Sequence, residues 1–277
     1  MEQPLRVLVV TRGHPFEAEP FFAIFDEMAG VAWTHVEQPD ARAHFTSARA
    51  GEYDCIVCYD MPGITFTGDD PPARFEEPPA DMVADYQALL DAGQGIVFLH
   101  HAVASWPAWP GFADIVGGRF HYQPARLREV DYPDSGYRFD ATHHVRVVAP
   151  DHPVCAGVGE GFTLTDELYL YPVFEDEVIP LMRSDAEFTD DGFFSADQAI
   201  RGRMGSRDGW SHPPGSDLVA WVKTAGRSPI VYLQFGDGPV TYADPNFRLV
   251  LGNAIGWAAS REAHRWATGE SGQAPSV

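Results

Sequence analysis

The sequence predicts an α/β fold: a three-layer, doubly wound and mostly parallel sheet, with additional β-strands and loops in its second half. Three observations carry that expectation. Short apolar runs with many β-branched residues recur at 5–11, 54–59, 95–100 and 230–235, as in strands buried on both faces. Amphipathic runs at 20–29 and 81–92 alternate with the early ones, the rhythm of strand–helix–strand units. A chain of 277 residues with 45% hydrophobic residues can bury one large core, and no Gly/Ser or Pro linker and no internal repeat divides it.

Element by element, 5–11 (LRVLVVT) reads as the first central strand, followed by the loop Arg12-Gly13-His14-Pro15. Residues 20–29 carry Phe21, Phe22, Ile24, Phe25 and Met28 at helical spacing, closed by Gly30. Strands follow at 31–36 and 54–59. The Pro- and Gly-rich stretch 61–79 is too irregular for either element, and its place beside a strand end makes it a candidate lid. A helix over 81–92 puts Met82, Val83, Tyr86, Leu89 and Leu90 on one face, with Gly93 after its end. It delivers the chain into the strand that ends at His100-His101. A short helical segment at 106–118 ends in Gly117-Gly118, and 119–150 reads as strands and turns. Strands at 218–222 and 230–235 precede a helix opened by Pro245-Asn246, whose Phe247, Val250, Leu251, Ala254, Ile255 and Ala258 form one apolar core stripe. One domain over 1–265 is expected, with 266–277 a disordered tail.

Charge excludes partner classes. With 19 Lys plus Arg against 40 Asp plus Glu the net charge is −21, and Lys223 is the only lysine. Such a surface repels phosphate backbones and anionic lipid, so no nucleic acid and no membrane is expected as partner, and a neutral or cationic small molecule suits it better. No apolar run approaches the roughly 20 residues of a membrane span, and the first ten residues enter a strand rather than a signal peptide; a soluble, cytoplasmic protein is expected. Cys55 and Cys58 have CxxC spacing but sit in a strand, where residues three apart face opposite ways, so neither a redox nor a zinc pair is expected. With Cys155 they read as free thiols of a reducing compartment.

The most informative stretch is Gly95-Ile96-Val97-Phe98-Leu99-His100-His101-Ala102, an apolar strand ending abruptly in two histidines, where an α/β sheet gathers its ligands. Four polar clusters end apolar elements: Arg12-Gly13-His14, His100-His101 with Trp106, Arg119-Phe120-His121, and Asp166-Glu167-Leu168-Tyr169. The first two fall at carboxyl ends of strands and can face one cleft. A His/Glu pair there suits proton transfer. His14, His101, His121 and Glu167 could alternatively hold zinc, although no HExxH-type spacing supports it. Of His143 and His144, at most one points inward; His152 reads as a turn-stabilising side chain; His35, His44, His212 and His264 read as surface or loop residues. Trp106, Trp109, Tyr169 and Tyr171 could stack on a sugar or simply fill the core. There is no GxSxG elbow, P-loop or GxGxxG after the first strand, and no cysteine at the His100-His101 strand end, which argues against serine hydrolase, kinase and dinucleotide oxidoreductase chemistry.

These residues resemble the ThuA-like family of trehalose utilisation, whose fold is related to class I glutamine amidotransferases and is flavodoxin-like in its layering. The resemblance runs through Arg12-Gly13-His14-Pro15-Phe16, the 95–102 stretch with Trp106, Gly117-Gly118-Arg119-Phe120, His152-Pro153-Val154, Asp166-Glu167-Leu168-Tyr169, Ser228-Pro229-Ile230-Val231-Tyr232 and Asn253-Ala254-Ile255-Gly256-Trp257. In amidotransferases of this fold a cysteine follows the strand matching 95–100; His100-His101-Ala102 fills that region here, so the resemblance implies the fold without glutaminase chemistry. It further implies an enzyme of carbohydrate metabolism, an isomerase, lyase or hydrolase acting on trehalose, a related sugar or a keto-sugar. In that expectation His101 and Glu167 are catalytic, and His14, His100, Trp106, Arg119, His121, Asp166 and Tyr169 bind substrate. No cofactor is expected, zinc being the alternative, and a homo-oligomer is expected with 61–79 and 119–140 as contact surfaces. A non-catalytic sugar-binding or regulatory module and a metal-dependent hydrolase are the competing readings. The insert 187–215 matches no part of the resemblance.

Overall fold

The structure, a computed structural model, describes residues 3–270. The first half builds strand β1 (Leu5–Arg12), helix α1 (Ala18–Asp26), β2 (Val31–Glu37), β3 (Cys55–Asp60), the hairpin β4 (Ile64–Phe66) and β5 (Ala73–Phe75), α2 (Ala80–Asp91), β6 (Ile96–Leu99) and α3 (Pro110–Val116). The second half builds the hairpin β7 (Ala125–Leu127) and β8 (Val130–Tyr132), β9 (Gly136–Val147), β10 (Gly161–Leu170), β11 (Ile179–Ser184), β12 (Phe194–Ser195), α4 (Ala196–Ile200), β13 (Leu218–Ala225), β14 (Ser228–Leu233), α5 (Pro239–Ala243), α6 (Pro245–Ala258) and α7 (Arg261–Ala267).

One large sheet runs β10-β9-β11-β13-β14-β6-β3-β1-β2. Its core, β14-β6-β3-β1-β2, is parallel throughout; β13, β11, β9 and β10 extend it antiparallel. The two-residue alternation of the parallel strands sorts their side chains into two cores. Val7, Val9, Val57 and Leu99 face α1 and α6, whereas Leu8, Val10, Ile56 and Phe98 face α2 and α3. Both faces are therefore covered by helices, which is why these strands read as unbroken apolar runs. The α/β layering expected from the sequence is present, with the added strands in the second half.

The same alternation separates Cys55 from Cys58: they are buried in opposite cores, and both are free thiols, as is buried Cys155. Burial pushes all three thiols up, away from the reactive thiolate. Replacing all three by alanine is expected to leave activity per folded molecule within a few-fold and to lower stability by ~1 kcal/mol per site. Loss of activity in one folded single variant, measured beside its unfolding midpoint, would reinstate thiol chemistry.

Three expectations need correction. The 61–79 stretch is not wholly irregular, because it folds back as the β4–β5 hairpin. The expected tail from 266 is wrong for its first residues: α7 runs to Ala267, and Trp266 packs on Trp257 with ring centroids 5.3 Å apart. An aromatic anchor outweighed the polar, Gly-rich composition that follows; 271–277 lie outside the described residues. His212 lies in a loop as read but is buried, its Nδ1 donating to the Pro213 carbonyl at 2.7 Å.

Candidate active site

Because β1, β3, β6 and β14 are parallel, the segments that follow them gather at one edge of the sheet. His14 follows β1, His100 and His101 follow β6, and Gln234, Gly236 and Asp237 follow β14. Four strands lie between β6 and β10 at the far end of the sheet, yet Glu167 and Tyr169 of β10 reach the same place. They do so because the long β9–β10 ribbon pairs with β11 only through Val145 to Val147, and its remaining length arches over the strand ends.

At the end of β6 the chain turns sharply. His100 has φ +51°, a left-handed conformation unusual for a side-chain-bearing residue, and opens a 3₁₀ turn, His100–Ala104. The turn is pinned on both sides of the residue: its carbonyl accepts from the Tyr232 hydroxyl at 3.0 Å, and its Nδ1–H donates to the Gln234 carbonyl at 2.6 Å. That second bond fixes the tautomer and leaves Nε2 facing Glu167 Oε2 at 3.1 Å, the Tyr169 hydroxyl at 2.7 Å and Asp237 Oδ1 at 3.6 Å. The Tyr169 ring also stacks on the imidazole, centroids 4.7 Å apart.

A β-bulge in β9 lies directly opposite Glu167. Asp166 pairs with Ala141 and Leu168 with Arg138, so Phe139 and Asp140 of β9 together face Glu167, and Asp140 takes φ +51°. Asp166 accepts from the backbone N–H groups of Gly236 at 2.7 Å and Asp237 at 3.0 Å, which holds the loop after β14 in place. Glu167 is aimed at His100 instead.

His101 sits behind the cavity. Its Nε2–H donates to the Tyr59 carbonyl at 3.1 Å, and its ring is packed between Tyr59, at 4.3 Å, and His14, which stacks on it at 4.4 Å. His14 donates Nδ1–H to the Pro15 carbonyl at 2.8 Å, so its Nε2 is an acceptor, and the residue lines the cavity. The preceding Gly13 has φ +98°, and a Cβ there would lie 2.3 Å from the Met61 carbonyl oxygen, so the loop that presents His14 needs glycine.

Electrostatics divides the histidines. Burial works against charge on His100, but its bonds to Asp237 and Glu167 and their negative charge, with that of Asp166, outweigh it and raise the imidazole to about 10. His14 is lowered, first by burial and then by the His100 charge; His101 is lowered far more, by burial and by both neighbouring histidines. Burial pushes Glu167 up, partly offset by His100, while His100 overcomes burial to hold Asp237 down. At neutral pH the site thus holds a protonated His100 against ionised Asp237, a carboxyl at Glu167 with raised proton affinity, and a neutral His14. His100, Glu167 and Asp237 also offer three ligand atoms within 4.8 Å of one another, a spacing that a divalent ion spans.

His14, Glu167 and Tyr169 open onto a cavity of about 300 Å³, whose walls include Phe66, Phe120, Tyr122, Tyr137, Phe139, Ile200 and Met204. Of the residues singled out in the sequence, His14, His100, His101, Asp166, Glu167 and Tyr169 come together here. Trp106, Arg119 and His121 do not. Arg119 is buried and donates to the carbonyls of Trp106 at 2.9 Å and Trp109 at 2.7 Å, clamping the turn before α3. Trp106 faces a separate small cavity beside Asp60 and Ser105. His121 is turned away from its neighbours Phe120 and Tyr122 and stacks on Tyr132, so it cannot join His14, His101 and Glu167 around a metal. Nor do Trp109 and Tyr171 wall the cavity. Asp237 escaped the sequence reading, although its setting in Phe235-Gly236-Asp237-Gly238 after an apolar strand was a signal of the same kind as His100-His101.

A family model described as "ThuA: Trehalose utilisation" matches residues 6–258. Among solved structures, a ThuA-like protein from Parabacteroides merdae superposes with a TM-score of 0.65 at 14% identity, over 93% of this chain and 90% of that one. A ThuA-like protein from Bacteroides uniformis gives 0.62 at 18% identity, over 94% of each chain. A cytoplasmic protein from Salmonella typhimurium gives 0.56 at 11%, over 92% of this chain and 99% of that one. These likenesses show a common fold. No curated protein matches the chain.

Proposed function

The chain belongs to the ThuA family, described as trehalose utilisation, and from that premise we propose that it is an enzyme of carbohydrate metabolism that moves a proton on a sugar or keto-sugar held in the 300 Å³ cavity. The observation that carries this reading is the geometry of two proton-transfer groups on that cavity: His14, an acceptor through Nε2 whose proton affinity burial lowers, and Glu167, whose proton affinity burial raises and which is hydrogen-bonded to His100. Burial favours the neutral form of each, and a neutral imidazole beside a carboxyl that is bonded to protonated His100 is suited to act as base and acid on one substrate. His14 accepts a proton from a carbon next to a sugar carbonyl, and Glu167 donates to the oxygen. His100, bonded to Glu167 and to Asp237, is a positioning residue and proton reservoir, and His101 supports His14 by stacking. The role first given to His101 thus passes to His14 and His100. Such a step needs no nucleotide cofactor. Three free buried thiols fit a reducing, cytoplasmic setting.

The test is turnover by untagged protein on glucosides, disaccharides including trehalose, and their 3-keto forms, followed by sugar chromatography. Conversion of at least one keto-sugar is expected. Binding without conversion across the panel would favour a sugar-binding module.

One observation favours a second reading: the three ligand atoms of His100, Glu167 and Asp237 are close enough for a divalent ion, and the His100 Nδ1 bond to a carbonyl is the usual second-sphere support of a ligating imidazole. Stoichiometric zinc in the untagged protein, with activity lost on chelation and restored by the ion, would replace proton transfer by metal-assisted chemistry.

A further inference from the structure

The cavity is polar at one end only. His14, Tyr122, Glu167 and Tyr169 sit at its inner end, whereas Phe66, Phe139, Ala199, Ile200 and Met204 line it outward and offer no side-chain hydrogen-bonding group. The Tyr137 hydroxyl on the same wall is already committed, accepting from the Gly205 N–H at 2.7 Å and donating to Met204 Sδ at 2.9 Å. Among the described residues six large hydrophobic side chains are exposed, and three of them, Phe66 (42%), Phe139 (47%) and Met204 (65%), belong to this one wall. Apolar surface left open beside a buried polar cluster marks a ligand that is itself divided.

We infer that the site takes a glycoside with an aromatic aglycone, the sugar ring against His14 and Glu167 and the aromatic ring against Phe66, Phe139 and Met204. This deepens the proposed function and rests on it for the sugar half. The size fits: a cavity of ~150 Å³ lined by apolar side chains accommodates benzene, so about 300 Å³ leaves room for a second ring. The chemistry discriminates as well. A second sugar in the outer half would press its hydroxyls against Phe139, Ile200 and Met204, where nothing pairs them, and unpaired buried hydroxyls disfavour binding. An aromatic ring gains edge or stacking contacts with Phe66 and Phe139 and sulfur contact with Met204.

Apart from Tyr137 and Phe139 of β9, the outer wall comes from the two stretches least regular in sequence. Phe66 and Gly68 come from the β4–β5 hairpin, and Ala196 to Met204 come from the 187–215 insert; Arg201 of the insert pairs with Asp70 of the hairpin at 3.2 Å. The insert therefore supplies one side of the wall that meets the aglycone, facing the hairpin and β9.

The experiment is titration calorimetry with phenyl β-glucoside, methyl β-glucoside, trehalose and phenol, on the wild type and on Phe139→Ser and Met204→Ser, whose exposed side chains can change without unfolding the protein. Phenyl glucoside should bind at least tenfold more tightly than methyl glucoside or trehalose, and each substitution should bring that ratio toward one. Equal affinities, tighter trehalose, or a ratio unaffected by both substitutions would overturn the inference. Phenol binding as well as phenyl glucoside would also overturn it, reducing the wall to a non-specific apolar patch. If the phenyl preference holds but no 3-keto glycoside is turned over, the proposed proton transfer fails while this assignment of ligand class stands.

Discussion

Glu167→Gln is expected to lower kcat on a keto-sugar by ~10²- to 10⁴-fold, the range for loss of a general acid, with a small change in KM. Glutamine keeps the size of the side chain and can still meet His100, so the fold should survive; what it lacks is the transferable proton. His14→Asn should cost a similar factor, because asparagine keeps a donor for the Pro15 carbonyl but removes the Nε2 acceptor. The pH profile separates the two roles. His14 must be neutral, and its proton affinity lies below the ordinary value of 6.5, so the acid limb of kcat/KM should fall below that value. The alkaline limb belongs to the His100–Glu167 pair as a coupled unit and should move in Glu167→Gln. His101→Ala is the discriminating control. It does not itself line the cavity and should cost less than Glu167→Gln unless the stacked His14 is displaced; inactivation equal to that of Glu167→Gln with His14 in place would return the chemistry to His101.

How much of this was legible in the sequence follows from what kind of contact each feature depends on. The parallel core was legible because β1, β3 and β6 are covered by helices on both faces, and burial on both sides leaves a one-dimensional trace of apolar residues. His100, His101 and His14 were legible as strand-end residues for the same reason. Which of the two adjacent histidines meets Glu167 was not, since it is decided by the φ of +51° at His100 and by the Gln234 carbonyl, 134 positions away. The β9 bulge opposite Glu167 is a register shift between β9 and β10 and leaves no periodic signature. Arg119 and His121 misled because a polar residue after a glycine pair reads the same whether it faces a cleft or, as Arg119 does, satisfies the carbonyls of Trp106 and Trp109. The cavity wall was hidden in the irregular segments, where Phe66 and Met204 look like any isolated apolar residue of a loop.

His152→Asn is expected to remove part of the protein's acid sensitivity. His152 is buried, its Nδ1 accepts from the Val154 N–H at 3.2 Å, its ring packs on Trp257, and its Nε2 has no partner. Burial alone lowers its proton affinity to about 4. The folded state therefore prefers the neutral ring, while the unfolded chain takes up a proton near 6.5. Between those values the unfolded state binds more protons, so this residue's contribution is intact above pH 6.5 and is lost as the pH falls toward 4. The gap between 6.5 and about 4 corresponds to roughly 3 kcal/mol at its limit. His100 has the opposite sign: its affinity is raised, so its contribution is present below 6.5 and is lost as the pH rises through about 10. A simple acid titration of the wild type sums both kinds of group, and the variant isolates one. Asparagine can still accept from the Val154 N–H but does not titrate. Chemical unfolding of wild type and His152→Asn at pH 7.5 and pH 4.5 should show the difference between them shifting by about 2 to 3 kcal/mol in favour of the variant at the lower pH. A difference that stays constant across that interval would mean that His152 is protonated in the folded state, and that the turn between β9 and β10 is more open to water than its packing against Trp257 implies.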